Sequence, residues 1–320
     1  MTKSRAGIRA REQRWAIPVG IASILGVVLL IVSRPLNVSG DGEADFLREA
    51  HAHGGSILIA GLAQAFAFVL LALPLVYLFR AVASRSSRVR PQLIGLVVAA
   101  PLFLAASSAI AIAVTSDAAD NFVAGKVKPE LTVAEAREEC VEERKDEGVK
   151  FLEDEYEPGQ GVTPQRACEA RKLADDAASQ ATKEASLAPL ATGLGLAGAF
   201  GFVVALLYTG LWAMRTGVLS RFWGSLGMVA GIAFLLGPLF IVALVWFVYF
   251  GMLCFGVVPG GRPPAWEAGE AIPWPTPGDK AAAELEPEGG WDGSEIEVDG
   301  SEDGPDDEPP AEPRKRKQRE

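Results

Sequence analysis

Cysteine and histidine are nearly missing from this chain: three and two residues in 320. Three cysteines are too few to staple a small secreted scaffold, and two histidines leave little for a zinc centre or a histidine-based catalytic pair. Familiar catalytic signatures are lacking as well: no serine–histidine pair, zincin helix or P-loop occurs. No basic domain stands out and the formal net charge is −10, which excludes a nucleic-acid binder of that kind. Charge itself is absent only in places. Asp, Glu, Lys and Arg make up 22% of the chain, yet the mean hydropathy is +0.22, so the apolar residues must be concentrated in uncharged blocks.

Those blocks are what the sequence has in quantity. Crossing a hydrocarbon core of roughly 30 Å takes about 20 apolar residues in a helix. Residues 15–33, 56–79, 93–114 and 189–214 each meet that length without Asp, Glu, Lys or Arg. Helices are expected because an isolated strand leaves its backbone polar groups unsatisfied in lipid. Pro74 and Pro101 lie inside these runs, where neighbouring helices absorb a kink. The first run follows a basic segment but ends without an A-x-A cleavage pattern, so it is expected to persist as a signal anchor.

A fifth uncharged stretch, between Arg221 and Arg262, is too long for one crossing. As a single helix, 222–258 would be roughly 55 Å long. Gly237-Pro238 divides it, and that pair signals a turn. The reading is two short spans, 220–236 and 239–257, closed as a hairpin. A single tilted helix is the alternative, with Trp223 at one interface and Trp246 and Tyr249 at the other.

The expected fold is therefore an all-α membrane bundle of about six transmembrane helices, with an extracytoplasmic helical hairpin and a disordered C-terminal tail. Short-loop Lys and Arg mark the cytoplasm. Lys3, Arg5, Arg9, Arg11 and Arg14 precede the first span, Arg80, Arg85, Arg88 and Arg90 follow the second, and Arg215 and Arg221 follow the fourth. This places the chain in the cell membrane with its N-terminus in the cytoplasm, and six spans return the C-terminus there; five would leave it outside. The organisation expected is a basic N-terminus at 1–14, spans at 15–115, an external helical loop at 116–187, spans at 188–258 and a Pro-rich acidic tail at 259–320.

The external loop carries helix signals. Thr132-Val133-Ala134-Glu135 reads as a capping box, Gly148 as a helix end, and Thr163-Pro164 as a second helix start that runs through Ala181 toward the fourth span. Cys140 lies about two turns before Gly148 and Cys168 about one turn after Pro164, so antiparallel helices bring them to one depth. A disulfide between Cys140 and Cys168 is expected on the oxidising side, and Cys254 is a small buried hydrophobe.

Small residues four apart let helices approach closely in lipid. Gly61 with Ala65, Ala197 with Gly201, and Gly227 with Gly231 have that spacing on three spans. Gly193-Leu194-Gly195-Leu196-Ala197-Gly198 matches a dinucleotide fingerprint but lies within an apolar helix with no preceding strand, so it too reads as packing. Gln64, Ser107, Ser108, Thr192 and Thr209 suit interhelical hydrogen bonds. His51 and His53 point about 200° apart on a helix, leaving Glu49 with His53 as the one pair spaced to share a metal; a polar helix start explains them as well. No cofactor is expected.

The segment 214–224 (Met-Arg-Thr-Gly-Val-Leu-Ser-Arg-Phe-Trp-Gly), with Gly227 and Gly231, resembles the hinge between late spans in a broad group of uncharacterised bacterial six-span membrane proteins. Gly261-Arg262-Pro263-Pro264-Ala265-Trp266 through Pro273-Trp274-Pro275 resembles their ends. The resemblance implies six spans and a cytoplasmic tail, and implies no activity. The function expected is non-enzymatic: binding, sensing or structural, through the external loop, with the bilayer as one partner and a protein partner at that loop or at the tail. A passive transporter or channel for a small solute is the alternative, and needs a polar stripe down the bundle.

Overall fold

The computed structural model describes residues 5–36, 42–147, 163–258 and 261–274. Among them every regular element is a helix: α1 Arg5–Leu36, α2 Glu43–Ala52, α3 Gly54–Arg85, α4 Ile94–Val123, α5 Val133–Glu147, α6 Pro164–Glu184, α7 Ala188–Arg215, α8 Arg221–Leu235, α9 Ile241–Phe255 and α10 Pro264–Ala268. The protein is an all-α membrane bundle. Four helices, α1, α3, α4 and α7, are long and apolar enough to cross a membrane.

The expected fifth and sixth spans need correction. They are α8 and α9, apolar but only 15 residues each, so each is roughly 22 Å long and shorter than a bilayer core. The cause is the Gly237-Pro238 break, where a 3₁₀ turn at Gly237–Phe240 reverses the chain. The aromatic residues decide between a hairpin and one long helix. A single helix would put Trp223 and Tyr249 at opposite interfaces, yet their rings stack with centroids 3.4 Å apart, and Trp246 Nε1 donates to the Trp223 carbonyl at 2.9 Å.

Six helices form a ring. α1 packs on α3 and α9, α3 on α4, α4 on α7, α7 on α8, and α8 on α9. The interior is filled by side chains. Phe202 and Phe234 rings lie 4.9 Å apart, Phe202 and Phe247 6.1 Å, and Leu71, Leu75, Leu78, Leu206, Trp246 and Phe250 are fully buried around them. The outside is apolar too: Ile17, Ile21, Leu25, Ile31, Leu58, Leu62, Phe66, Leu196 and Phe200 are all exposed. In water such stripes would drive aggregation; against lipid tails they match their surroundings.

Small residues set the close approaches. A Cβ on Gly227 would come within 2.7 Å of the Trp246 indole, on Gly61 within 2.4 Å of Ile112, and on Gly201 within 2.9 Å of Ala100. Ala65 packs against the core. Ala197 does not: it is exposed, and buried Gly198 faces α4 instead, a Cβ there falling 2.8 Å from the Leu104 amide. Of the pair expected on α7, Gly201 thus meets α4 and Ala197 does not; Gly198, one residue further on, takes its place.

This geometry sorts the glycines by consequence. At Gly231 a Cβ would sit 3.1 Å from Leu206 and 3.3 Å from the Val203 carbonyl, whereas Gly193 has open space around it. Replacing Gly231 by Leu is expected to cost about 1–3 kcal/mol by overpacking the α7–α8 contact. Gly193→Leu should stay within about 0.5 kcal/mol. Thermal melts of both variants in detergent test this; equal shifts would contradict it.

Candidate functional site

At the end of the bundle away from the arginine-rich loops, the chain builds a small polar layer from α2, α5, α6 and the last turns of α4. We call this the loop end. The boundary at 116 falls inside a helix, since α4 runs on to Val123. Helix α6 organises the layer. Cys168 is joined to Cys140 of α5 with Cα atoms 6.1 Å apart, and both are fully buried. Asp175 Oδ1 accepts from the Ala44 amide at 2.8 Å and so caps α2. Asp176 Oδ2 accepts from the amides of Glu130 and Leu131 at 2.6 and 2.9 Å, fixing the turn into α5. Each carboxylate meets otherwise unpaired backbone donors, where negative charge is favoured.

The packing beneath is tight and made of alanine. Ala44, Leu47 and Ala50 of α2 bury against Ala118 and Ala119 of α4 and Ala178 and Ala181 of α6. Ion pairs flank the disulfide: Arg137 with Glu169 at 3.0 Å and Lys172 with Glu139 at 3.9 Å. Helix α6 ends at Glu184, and α7 begins separately at Ala188, so the two are not continuous. The expected helix end at Gly148 lies outside the described residues.

The capping box at α5 is formed in full. The Thr132 amide and Oγ1 donate to Glu135 Oε2 at 2.8 and 2.7 Å, and the Glu135 amide donates to Thr132 Oγ1 at 3.3 Å. These bonds, the one from the Thr132 backbone first, hold the Glu135 carboxyl below its ordinary pKa. A group whose pKa is lowered on folding stabilises the fold above its unfolded pKa and loses that contribution as pH falls. Amide exchange at Ala134–Ala136, followed by NMR across the acid range, should therefore show the α5 start fraying as pH drops below the ordinary carboxylate range. The Glu135→Gln variant should show a weaker pH dependence at those amides; an unchanged dependence would count against the box.

The two histidines are paired locally. His51 Nδ1 lies 2.9 Å from Asp120 Oδ1, and His53 Nδ1 lies 2.8 Å from Glu49 Oε1. Glu49 and His53 thus do meet, but among the described residues no third His, Cys, Asp or Glu joins them in a metal-sized cluster. The loop end offers shaped, paired, charged surface.

The opposite end holds what sequence reasoning missed. Residues 261–274, assigned above to a tail starting at 259, pack across the arginine-rich loops; 259–260 and the part beyond 274 lie outside the described residues. Trp266 Nε1 donates to the Val218 carbonyl and Trp274 Nε1 to that of Leu219, both at 2.9 Å. The Ile272 amide donates to the Thr216 carbonyl at 3.2 Å. Gly217 has φ +73°, and a Cβ there would overlap the Ile272 carbonyl. Beneath this strap sits a clamp. The Arg85 guanidinium, with no exposed surface, grips both carboxylate oxygens of buried Glu12 (Nη2–Oε2 2.8 Å) and donates from Nε and Nη2 to the Ala265 carbonyl. Trp266 lies 5.3 Å from Arg85 and stacks on Tyr77, whose hydroxyl donates to the Glu12 carbonyl. One signal was available: Glu12 is the only acidic residue in the basic segment before the first span.

Hydroxyls inside the bundle mostly serve their own helices. Thr209 donates to Ala205 and Ser108 to Leu104, while Ser107 reaches the Ala191 carbonyl of α7 and Ser23 that of Phe247 on α9. Thr192 is exposed and Gln64 half-buried. They form no continuous polar stripe.

Fold and site together define a class: a helical membrane protein with a braced polar layer at one end and a strapped basic face at the other. Compared with family models, curated proteins and solved structures, the chain matches none.

Proposed function

We propose that this is a non-enzymatic, multi-pass cell-membrane protein that presents its disulfide-braced helical layer outside the cell as a docking platform, with N-terminus, clamp and strap in the cytoplasm. The observation that carries this reading is the threefold fixing of α6: a disulfide to α5, a carboxylate cap on α2 and a second carboxylate on the turn before α5. A segment rigidified in this way meets a partner with little ordering entropy left to lose. The arginine-rich loops support the orientation, and a disulfide suits an oxidising exterior. The resemblance of 214–224 to late hinges in uncharacterised six-span proteins fits the same topology. The transporter reading is less well supported, because aromatic side chains fill the ring and its hydroxyls bond to helix backbone.

Site-specific photo-crosslinking in intact cells tests the platform. A photoreactive residue at exposed Val133 or Glu138 of α5 should yield discrete protein adducts, reduced in the Cys140→Ser/Cys168→Ser variant. The same residue at Leu196, on the lipid-facing side of α7, should yield none. Absence of discrete adducts from α5, or adducts equal to those from Leu196, would overturn the reading.

A further inference from the structure

We propose that the cleft between α1, α3 and α4 at the arginine-rich end is a binding site for one anionic phospholipid from the adjoining leaflet. Helix α3 is the floor of this cleft, and α1 and α4, each packed on α3, are its walls. The cavity measures about 420 Å³ and is lined by Val19, Val69, Leu73, Val76, Val98 and Leu102, open toward lipid. That volume lies in the range of small-molecule sites, roughly 300–1,000 Å³. Its apolar lining suits an acyl chain.

The chemistry changes at the arginine-rich end. Arg11 and Arg80 border this cavity and also a second one of about 420 Å³ that continues past Phe79, Ser84 and Pro91. They are the only residues the two cavities share, so they stand where the two apolar compartments meet. Both are exposed, and among the described residues neither makes an ion pair or hydrogen bond. Four other arginines at this end are engaged: Arg85 with Glu12, Arg5 with Glu270, Arg9 with the Glu267 carbonyl and Arg221 with that of Trp274, whereas Arg14, Arg88 and Arg90 do not line the cleft. The one carboxylate on the cleft, Glu12, is held by Arg85 through both oxygens. Trp15, about half exposed beside the mouth, marks the interfacial level.

Two free guanidiniums at headgroup depth, above an apolar slot, complement a phosphodiester carrying an acyl chain. A zwitterionic lipid carries its own cation beside the phosphate, so it offers the two guanidiniums no net counter-charge, and a soluble phosphate ester would leave the slot unfilled. The assignment does not depend on which side of the membrane is cytoplasmic, nor on the docking platform proposed above.

Native mass spectrometry of the full-length protein in non-ionic detergent, with equal amounts of phosphatidylglycerol and phosphatidylcholine added, tests it. One phosphatidylglycerol per chain should be retained in preference to phosphatidylcholine. The Arg11→Gln/Arg80→Gln variant should lose that preference, by roughly fivefold for each arginine from the strength of one basic side chain at an anionic leaflet. Val76→Trp, which fills the slot, should lower retention of both lipids. Glycerophosphate should not compete. Equal retention of the two lipids by the native protein, unchanged preference in the arginine variant, or displacement by glycerophosphate would each overturn the proposal. Both arginines are exposed, so their variant should keep the native melting temperature and decides the matter even if Val76→Trp fails to fold.

Discussion

Replacing Arg85 by Met is expected to destabilise the folded protein by about 3–5 kcal/mol, the usual result of stranding one member of a buried ion pair. The reason is the position of Glu12. Its side chain is 8% exposed and Arg85 supplies donors to both of its oxygens, so the substitution leaves a buried carboxylate without those donors. It also removes the donors to the Ala265 carbonyl and the cation beneath Trp266, which loosens the strap. Glu12→Met alone should cost less, because Arg85 keeps the backbone acceptors at Ala81 and Ala265. The double Met variant should recover most of the loss, since a well-packed apolar pair often equals a buried ion pair. Denaturation in mixed detergent supplies the three values, and limited proteolysis at 261–274 reads the strap directly. Additive losses in the double variant would contradict the pairing.

The second large effect concerns the loop end. Among the described residues α5 packs on α6 alone, and its sequence is mostly charged. A polar helix of 15 residues is marginal in water by itself. The disulfide closes a loop with a sequence separation of 28, and the chain-entropy relation assigns it about 3.5 kcal/mol. The Cys140→Ser/Cys168→Ser variant is therefore expected to lose hydrogen-exchange protection throughout α5. Protection in α3 and α7 should stay unchanged, because the bundle does not depend on α5. Retained protection in α5 would mean that side-chain packing suffices there.

Much of the bundle is legible in the sequence because lipid imposes a simple rule on it. The apolar runs at 15–33, 56–79, 93–114 and 189–214 correspond to α1, α3, α4 and α7. Each helix extends past its run, since the backbone ladder continues after the hydrophobic stripe ends; α1 begins at Arg5 and α4 ends at Val123. The capping box and the cysteine pair were legible for a different reason: both follow from local helix geometry. What was hidden depends on long-range meetings. Glu12 and Arg85 are 73 positions apart, and nothing local marks a lone Glu among arginines as the mate of one particular Arg. The strap was hidden by composition. Pro263, Pro264, Pro273 and the nearby glycines resemble the tail that follows, while the feature that docks them is a pair of indole N–H groups meeting carbonyls at 218 and 219. The hairpin at Gly237-Pro238 was legible, because the uncharged stretch is too long for one crossing; the residues that the 3₁₀ turn takes from both spans, leaving 15 in α8 and 15 in α9, were not.

The proposed topology puts the braced helical layer and the strapped basic face on opposite sides of the cell membrane, the layer outside. Single-cysteine labelling in intact cells with a membrane-impermeant maleimide tests it most directly. Native thiols give little background, as Cys140 and Cys168 are bonded to each other and Cys254 is buried. Lys128, beside the braced layer, and Arg88, in an arginine-rich loop, are both exposed. The Lys128→Cys variant is expected to label in intact cells, and the Arg88→Cys variant only after permeabilisation. Labelling of Arg88→Cys but not Lys128→Cys in intact cells would invert the topology, and labelling of both would remove the membrane from between them.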